Sequence, residues 1–161
     1  MKILLLGEFS GFYSNLKKGF IQLGHEAHLY ASRDSFKEID GIDSLIESTY
    51  KNKTIRKIDL AFKFILCFLK ARNYDAVFLI NPAFLEPRIL SSLILWYLKR
   101  FNRFLFLSAC GEDVPYIRFG KEGGYKWWIY EEQPNCEGVS SARYQNRLDF
   151  FVHNQIIKYV D

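Results

Sequence analysis

Residues 2–31 read KILLLGEFSGFYSNLKKGFIQLGHEAHLYA, and this stretch decides the fold. Lys2–Leu6 is a short, mostly apolar run without polar alternation, which is typical of a strand buried on both faces. Tyr13–Leu23 carries apolar residues at a helical spacing, and Gly24 follows as the residue type that commonly ends a helix. Ala27–Ala31 is a second short apolar run. The order strand, helix, strand predicts a β-α-β unit with parallel strands.

The remainder of the chain repeats this alternation of strand and helix. In chain order we expect a polar connection at 32–53, a helix over Thr54–Asn73, a strand at Asp75–Ile80 and a helix over Pro87–Asn102. A strand at Phe104–Leu107, a long loop at Pro115–Ser140 and a final helix over Ser141–Tyr159 follow. The pattern predicts a single α/β domain, Rossmann-like, with a doubly wound, mainly parallel sheet and helices on both faces.

Composition narrows the class of protein. The 161 residues are 49% hydrophobic and 25% charged, which is enough apolar material for a packed core. The net charge of +4 suits phosphates or acidic lipid headgroups but is too small to indicate nucleic acid as a partner. The 3 cysteines are scattered without a CxxC pair, as expected of reduced thiols. With no signal-peptide pattern and no long apolar run, we expect a cytoplasmic protein.

A glycine-bearing loop follows the first predicted strand. In doubly wound sheets, ligands bind beyond the carboxyl ends of the strands. Backbone N–H groups at a helix start can receive a phosphate or a carboxylate, so we predict that Gly7, Glu8, Ser10 and Gly11 bind substrate. The simpler interpretation is a plain turn whose helix is capped by Ser10 or Ser14. The loop is neither GxGxxG nor a Walker motif, which disfavours a dinucleotide or P-loop site.

Two carboxylates follow the strand at Phe104–Leu107. A carboxylate just past a buried strand can act as a general base or hold a substrate hydroxyl. We therefore predict Asp113 and Glu112 as catalytic residues, with Asp113 preferred, and Gly111 as a substrate-binding residue. The simpler interpretation is that Asp113 caps the next turn.

Aromatic and histidine residues form two further patterns that could mark a site. Trp127 and Trp128 lie in the long loop, where flat aromatic faces suit sugar rings. The competing interpretation is an aromatic plug that fixes the loop to the core or to another domain, and it is favoured. His25 and His28 form an HxxH pattern, but residues three apart on a strand face opposite sides. We therefore expect no metal site.

Basic residues line one side of an otherwise apolar helix. Such a helix could lie on a membrane surface, although an ordinary buried helix with a solvent-exposed polar edge is the stronger interpretation. The basic residues are Arg56, Lys63 and Lys70, and they neighbour Phe62, Phe64 and Phe68.

Short segments spread over nearly the whole chain resemble one family. They are KILLLG at 2–7, LGHEAHLY at 23–30, DAVFLIN at 75–81, FLFLSACGEDV at 104–114 and IIKYVD at 156–161. Together they resemble the N-terminal, acceptor-side domain of a GT-B-type glycosyltransferase, glycosyltransferase family 4-like, of the retaining kind that builds bacterial surface polysaccharides.

The resemblance implies a function, and it implies that acceptor and donor bind to different domains. It places Gly7 and Gly11 at an interdomain cleft and Gly111 and Asp113 beside the acceptor or the sugar, with Glu112 where the family has serine. It implies that 1–161 is the N-terminal domain, without the C-terminal domain that holds the nucleotide sugar. A second Rossmann-like domain or subunit would then be required. The partners would be a nucleotide-sugar donor, acting as co-substrate with no other cofactor, and a glycan or lipid-linked acceptor.

Two other functions remain open at this point. One is a non-enzymatic α/β binding or interaction domain that uses the aromatic loop at 115–140 as a protein interface. The other is a small nucleotide-cofactor enzyme, which the missing GxGxxG and the lack of an acidic residue at the end of the second strand disfavour.

Overall fold

The structure is a computed structural model that describes residues 1–32, 39–110, 113–124, 126 and 147–161. Within these residues the strands are β1 (Lys2–Leu6), β2 (Glu26–Ser32), β3 (Ser44–Ile46), β4 (Ala76–Leu79) and β5 (Phe104–Leu107). The helices are α1 (Phe12–Gln22), α2 (Lys53–Lys70), α3 (Ser91–Phe101), α4 (Val114–Lys121) and α5 (Arg147–Tyr159). Two short 3₁₀ turns, Pro82–Phe84 and Arg88–Leu90, lie between β4 and α3.

All the described strands are parallel, and they form one sheet in the order β3-β2-β1-β4-β5. The chain moves outward from β1 to β3 and then crosses to the other side of β1, so the topological switch point lies between β1 and β4. Because parallel crossovers are right-handed, α1 covers one face of the sheet, and α2 and α3 cover the other. The predicted doubly wound α/β domain is therefore confirmed.

The core surrounds the central strand. Four consecutive residues of β1, 3–6, are at most 3% exposed, because helices cover both faces of the sheet at this point. On one face the ring of Phe20 in α1 lies 6.1 Å from that of Phe78 in β4. The ring of Phe84, after β4, lies 5.3 Å from Phe64 and 6.1 Å from Phe68, both in α2. Aromatic packing thus joins α1 to β4 on one face and α2 to the turn after β4 on the other.

Several elements begin or end elsewhere than the sequence predicted. β3 lies inside the segment 32–53, which we expected to be a connection. Asn52, not Thr54, caps α2, since its side-chain oxygen accepts hydrogen bonds from the backbone N–H groups of residues 54 and 55. α3 begins at Ser91, after a 3₁₀ turn. α4 occupies the start of the segment predicted as one long loop.

Part of the final predicted helix lies outside the described residues, namely 141–146. The rest of that helix is present as α5, which packs mainly on α3. In the described part of the chain, no helix combines the length and the apolar character needed to cross a membrane.

Asn102 joins two crossovers at the amino-terminal edge of the sheet. Its Oδ1 accepts a hydrogen bond of 2.9 Å from the N–H of Tyr74, just before β4. Its Nδ2 donates to the carbonyls of Ala71 at 2.9 Å and Leu98 at 2.8 Å. One amide therefore connects the end of α2, the end of α3 and the start of β4.

We expect Asn102→Ala to lower the free energy of unfolding by about 2–3 kcal/mol, because it leaves partly buried backbone groups without their partners. Urea denaturation monitored by circular dichroism measures this change. Asn15→Ala, at an exposed position in α1, is the control and should change stability by less than about 0.5 kcal/mol. Equal effects of the two substitutions would contradict this role of Asn102.

Candidate functional site

The loops after β1, β4 and β5 meet at the carboxyl edge of the sheet, which we call the rim. The hydroxyls of Tyr13 and Ser108 share a hydrogen bond of 2.6 Å, which joins the first turn of α1 to the loop after β5. Asn81, just after β4, donates from Nδ2 to the carbonyl of Cys110 at 3.3 Å. Gly11 comes after β1 and Asp113 comes after β5, and β4 is the strand between these two in the sheet.

Gly7 has a structural reason to be glycine. Its φ is +95°, and a Cβ at this position would lie 2.1 Å from Cγ2 of Ile80. Its N–H donates to the carbonyl of Tyr30 at 2.8 Å, which continues the pairing of β1 with β2. Because Gly7 has no side chain, the backbone that leaves β1 can pass close over Ile80, the residue that follows β4, at the switch point.

Glu8 fills the position where we predicted that a ligand anion would bind. Its Oε1 accepts hydrogen bonds from the N–H of Phe9 at 2.7 Å and of Tyr13 at 3.3 Å. Its Oε2 accepts from the N–H of Ser14 at 2.8 Å. The chain therefore supplies its own anion to the start of α1, where free N–H groups and the helix dipole favour negative charge.

The other residues of this loop are arranged around that carboxylate. Gly11 is the N-cap residue of α1, so the predicted capping by a serine at that position is wrong. The hydroxyl of Ser14 donates instead to the carbonyl of Asp40 at 2.8 Å. Ser10 and Gly11 both have positive φ, at 53° and 85°. A Cβ on Gly11 would have no heavy atom nearer than 3.9 Å, so this glycine borders open space, unlike Gly7.

Tyr13 and Ser108 are rim residues that the sequence analysis did not single out. Tyr13 is fully buried, and this burial raises the pKa of its hydroxyl well above the usual value, despite the hydrogen bond to Ser108. The phenol therefore stays protonated at neutral pH and ties the first turn of α1 to the loop after β5. A tyrosine in the first turn of a helix, whose buried hydroxyl needs a partner, is the signal that could have indicated the pair.

Cys110 is a partly exposed thiol at the end of the β5 loop. Burial, and then the nearby Glu8 carboxylate, raise the pKa of this thiol. It is therefore protonated at neutral pH and is a weak nucleophile, which disfavours covalent cysteine catalysis at the rim.

Asp113 is the N-cap residue of α4, and its Oδ1 accepts a hydrogen bond of 2.9 Å from the N–H of Tyr116. This is the capping role that we considered as the simpler interpretation. An open depression of about 590 Å³ borders it, lined in the described part of the chain by Asp113, Pro115, Tyr116, Arg118, Phe119 and Glu122. The predicted site residues Gly111, Glu112, Trp127 and Trp128 lie outside the described residues.

Besides the Glu8 carboxylate, the described part of the rim carries neutral hydrogen-bonding groups. These groups are the hydroxyls of Ser10 and Ser108, the amide of Asn81 and the thiol of Cys110, whereas the hydroxyl of Tyr13 is buried and bonded to Ser108. In the described ranges, no three histidine, cysteine, aspartate or glutamate side chains cluster as metal ligands would. This chemistry suits a ligand rich in hydroxyl groups better than it suits an anion.

We expect Glu8→Ala to destabilise the protein by about 1–2 kcal/mol, because it removes the acceptor for the first N–H groups of α1. It should also create a response to sulfate, which can occupy the vacated position. Thermal unfolding in sodium sulfate and in sodium chloride at matched ionic strength measures both effects. Glu26→Ala, an exposed change of the same charge, is the control. If sulfate raises the unfolding temperature of Glu8→Ala no more than that of the wild type, sulfate does not take the place of the Glu8 carboxylate.

We expect Gly7→Ala to be more destabilising than Gly11→Ala by about 2 kcal/mol, as overpacking adds to the strain of positive φ. Gly11→Ala should cost only about 1 kcal/mol, since its Cβ meets open space. Urea denaturation of the two variants tests this difference, and equal losses would show that Ile80 can move aside.

Comparison of this chain with protein-family models, with curated proteins and with solved structures finds no match.

Proposed function

We propose that the chain is the acceptor-side half of a glycosyltransferase. It would help transfer a sugar from a nucleotide-sugar donor to a glycan or lipid-linked acceptor, in the cytoplasm at the inner face of the membrane, during surface polysaccharide synthesis. The observation that carries the proposal is the hydroxyl- and amide-bearing rim whose helix N-terminus is already occupied by Glu8.

The position of Glu8 argues against nucleotide binding at this rim. Rossmann domains that bind nucleotides hold the pyrophosphate at the N-terminus of the first helix. Here the N–H groups of Tyr13 and Ser14 are bonded to a carboxylate, and a phosphate would meet like charge. The donor phosphates would then bind to a second Rossmann-like domain or subunit. This division agrees with the family that the sequence resembles.

The same carboxylate is suited to hold an acceptor. A carboxylate has about four acceptor positions, so the three N–H contacts leave room for a sugar hydroxyl. Ser10 and Gly11 would form one side of the acceptor site. We retain Asp113 and Glu112 as the candidate catalytic carboxylates, Gly111 as a binding residue, and Trp127 and Trp128 as sugar-stacking residues.

Nuclear magnetic resonance of the 161-residue chain can test the proposal. Neutral oligosaccharides should shift the backbone amide signals of residues 7–11 and 108–110, because these amides border the proposed acceptor site. UDP and GDP should leave those signals unchanged. The chain alone should give no measurable sugar transfer with a panel of UDP- and GDP-sugars, since the donor has no phosphate site on it.

Two results would overturn this assignment. Robust transfer by the 161-residue chain alone would show that it holds a donor site. Tight binding of UDP, NAD or a flavin at residues 7–11 would instead support a nucleotide-cofactor enzyme.

A non-enzymatic interaction domain is the second candidate, and one observation favours it. Phe119 on α4 is 50% exposed, although it lies in the aromatic segment 115–140 that we considered as a protein interface. Absence of any carbohydrate-induced shift, together with a Phe119→Ser variant that abolishes self-association of the chain, would favour this candidate over the transferase.

A further inference from the structure

Helix α2 has apolar residues on two opposite faces. Its inner face buries Phe64, Cys67 and Phe68 in the core. The sequence placed three phenylalanines beside the basic stripe, but only Phe62 points outward, at 60% exposure. Four further apolar residues are exposed with it, and we call the five together the α2 outer face: Ile55, Ile58, Phe62, Leu66 and Leu69.

The five residues form one continuous stripe. At 100° per residue they fall within an arc of about 80°, centred opposite the inner face. Exposure is high along the stripe, reaching 66% at Ile58. A helix with apolar residues on both sides is usually covered by other groups on both sides. A contiguous exposed apolar surface marks an interaction site.

The charges on α2 indicate what covers this face. The helix carries five basic residues and one acidic residue: Lys53, Arg56, Lys57, Lys63 and Lys70, and Asp59. The carboxylate of Asp59 already contacts Nζ of Lys63 at 3.0 Å. Arg56, Lys63 and Lys70 run along one flank of the stripe, about 80–120° from its centre. The charge therefore complements an anionic partner.

Helix α3 adds apolar and basic groups beside α2. The hydroxyl of Tyr97 in α3 donates to the carbonyl of Leu69 at 2.8 Å, so the two helices are neighbours at this point. Leu93 and Trp96 of α3 are exposed at 59% and 50%, and Arg100 is exposed as well.

We propose that the α2 outer face lies on the surface of a bilayer that contains anionic lipids. The apolar stripe would enter the boundary between headgroups and acyl chains, and Arg56 and Lys70 on its flank would contact the lipid phosphates. Lys63 is held within the chain by Asp59 and by the carbonyl of Glu47. This inference supplies a surface for the membrane location proposed above. It does not depend on sugar binding at the rim, so the two can fail separately.

Vesicle flotation of the 161-residue chain tests the proposal. The chain should float with phosphatidylcholine vesicles that contain about one third phosphatidylglycerol, and much less with phosphatidylcholine alone. Ile58→Ser/Phe62→Ser should lower the partition coefficient at least tenfold, since it removes apolar side chains from the contact. Arg56→Glu should lower it by about tenfold, because it reverses a charge at the lipid surface.

Matched controls lie on α1 and at its C-cap residue, on the other face of the sheet. Leu23→Ser changes an apolar residue that is 73% exposed, and Lys18→Glu reverses an exposed charge. Both should keep the partition coefficient within about twofold of the wild type. Far-ultraviolet circular dichroism and urea denaturation check that every variant remains folded.

Three results would overturn the proposal. Equal flotation with neutral and anionic vesicles would remove the role of the basic flank. Equal losses in the α1 controls and in the α2 variants would show unspecific adsorption. No flotation of the wild type, with a dimer in light scattering that Ile58→Ser/Phe62→Ser dissociates, would assign the α2 outer face to a second copy of the chain.

Discussion

The structure depends on the parallel pairing of β1 between β2 and β4. Because β1 is buried on both faces, its backbone groups can be satisfied only by neighbouring strands, and both neighbours run in the same direction. This constraint places the loops after β1, β4 and β5 at one edge. Three local contacts then hold them together: Gly7 over Ile80, Tyr13 to Ser108, and Asn81 to Cys110. The position of the rim therefore follows from the pairing of the strands.

β1 and β4 could be predicted from the sequence because each is a short apolar run of mostly buried residues. β2 and β5 were also predicted from short apolar runs, although they are only partly buried. β3 could not be predicted, since it has three residues at the sheet edge and only Ile46 among them is buried. Such a short strand has no measurable periodicity. The start of α2 was missed because Asn52 and Thr54 are both acceptable caps, and only the backbone angle of Asn52 decides between them.

The candidate site and the surface show a different limit of sequence reasoning. Glu8 lies in the glycine-bearing loop that the sequence analysis predicted to bind substrate, but its bonds to N–H groups up to six residues ahead lie beyond the usual capping patterns. On α2 the sequence indicated a polar stripe on an otherwise apolar helix, and nothing in a single sequence tells which of Phe62 and Phe64 points into the core. Tertiary packing against Phe84 decides that choice.

The internal carboxylate at the start of α1 has a consequence for ligand affinity. In many phosphate-binding loops, the ligand itself satisfies the N–H groups, so part of the binding free energy is spent on ordering the loop. Here Glu8 fixes the conformation of the loop in the free protein. A ligand that binds at this loop would meet a preorganised surface, so little of its binding free energy would go into ordering the loop. Weak individual contacts, such as those of single sugar hydroxyls, can then suffice for selective recognition.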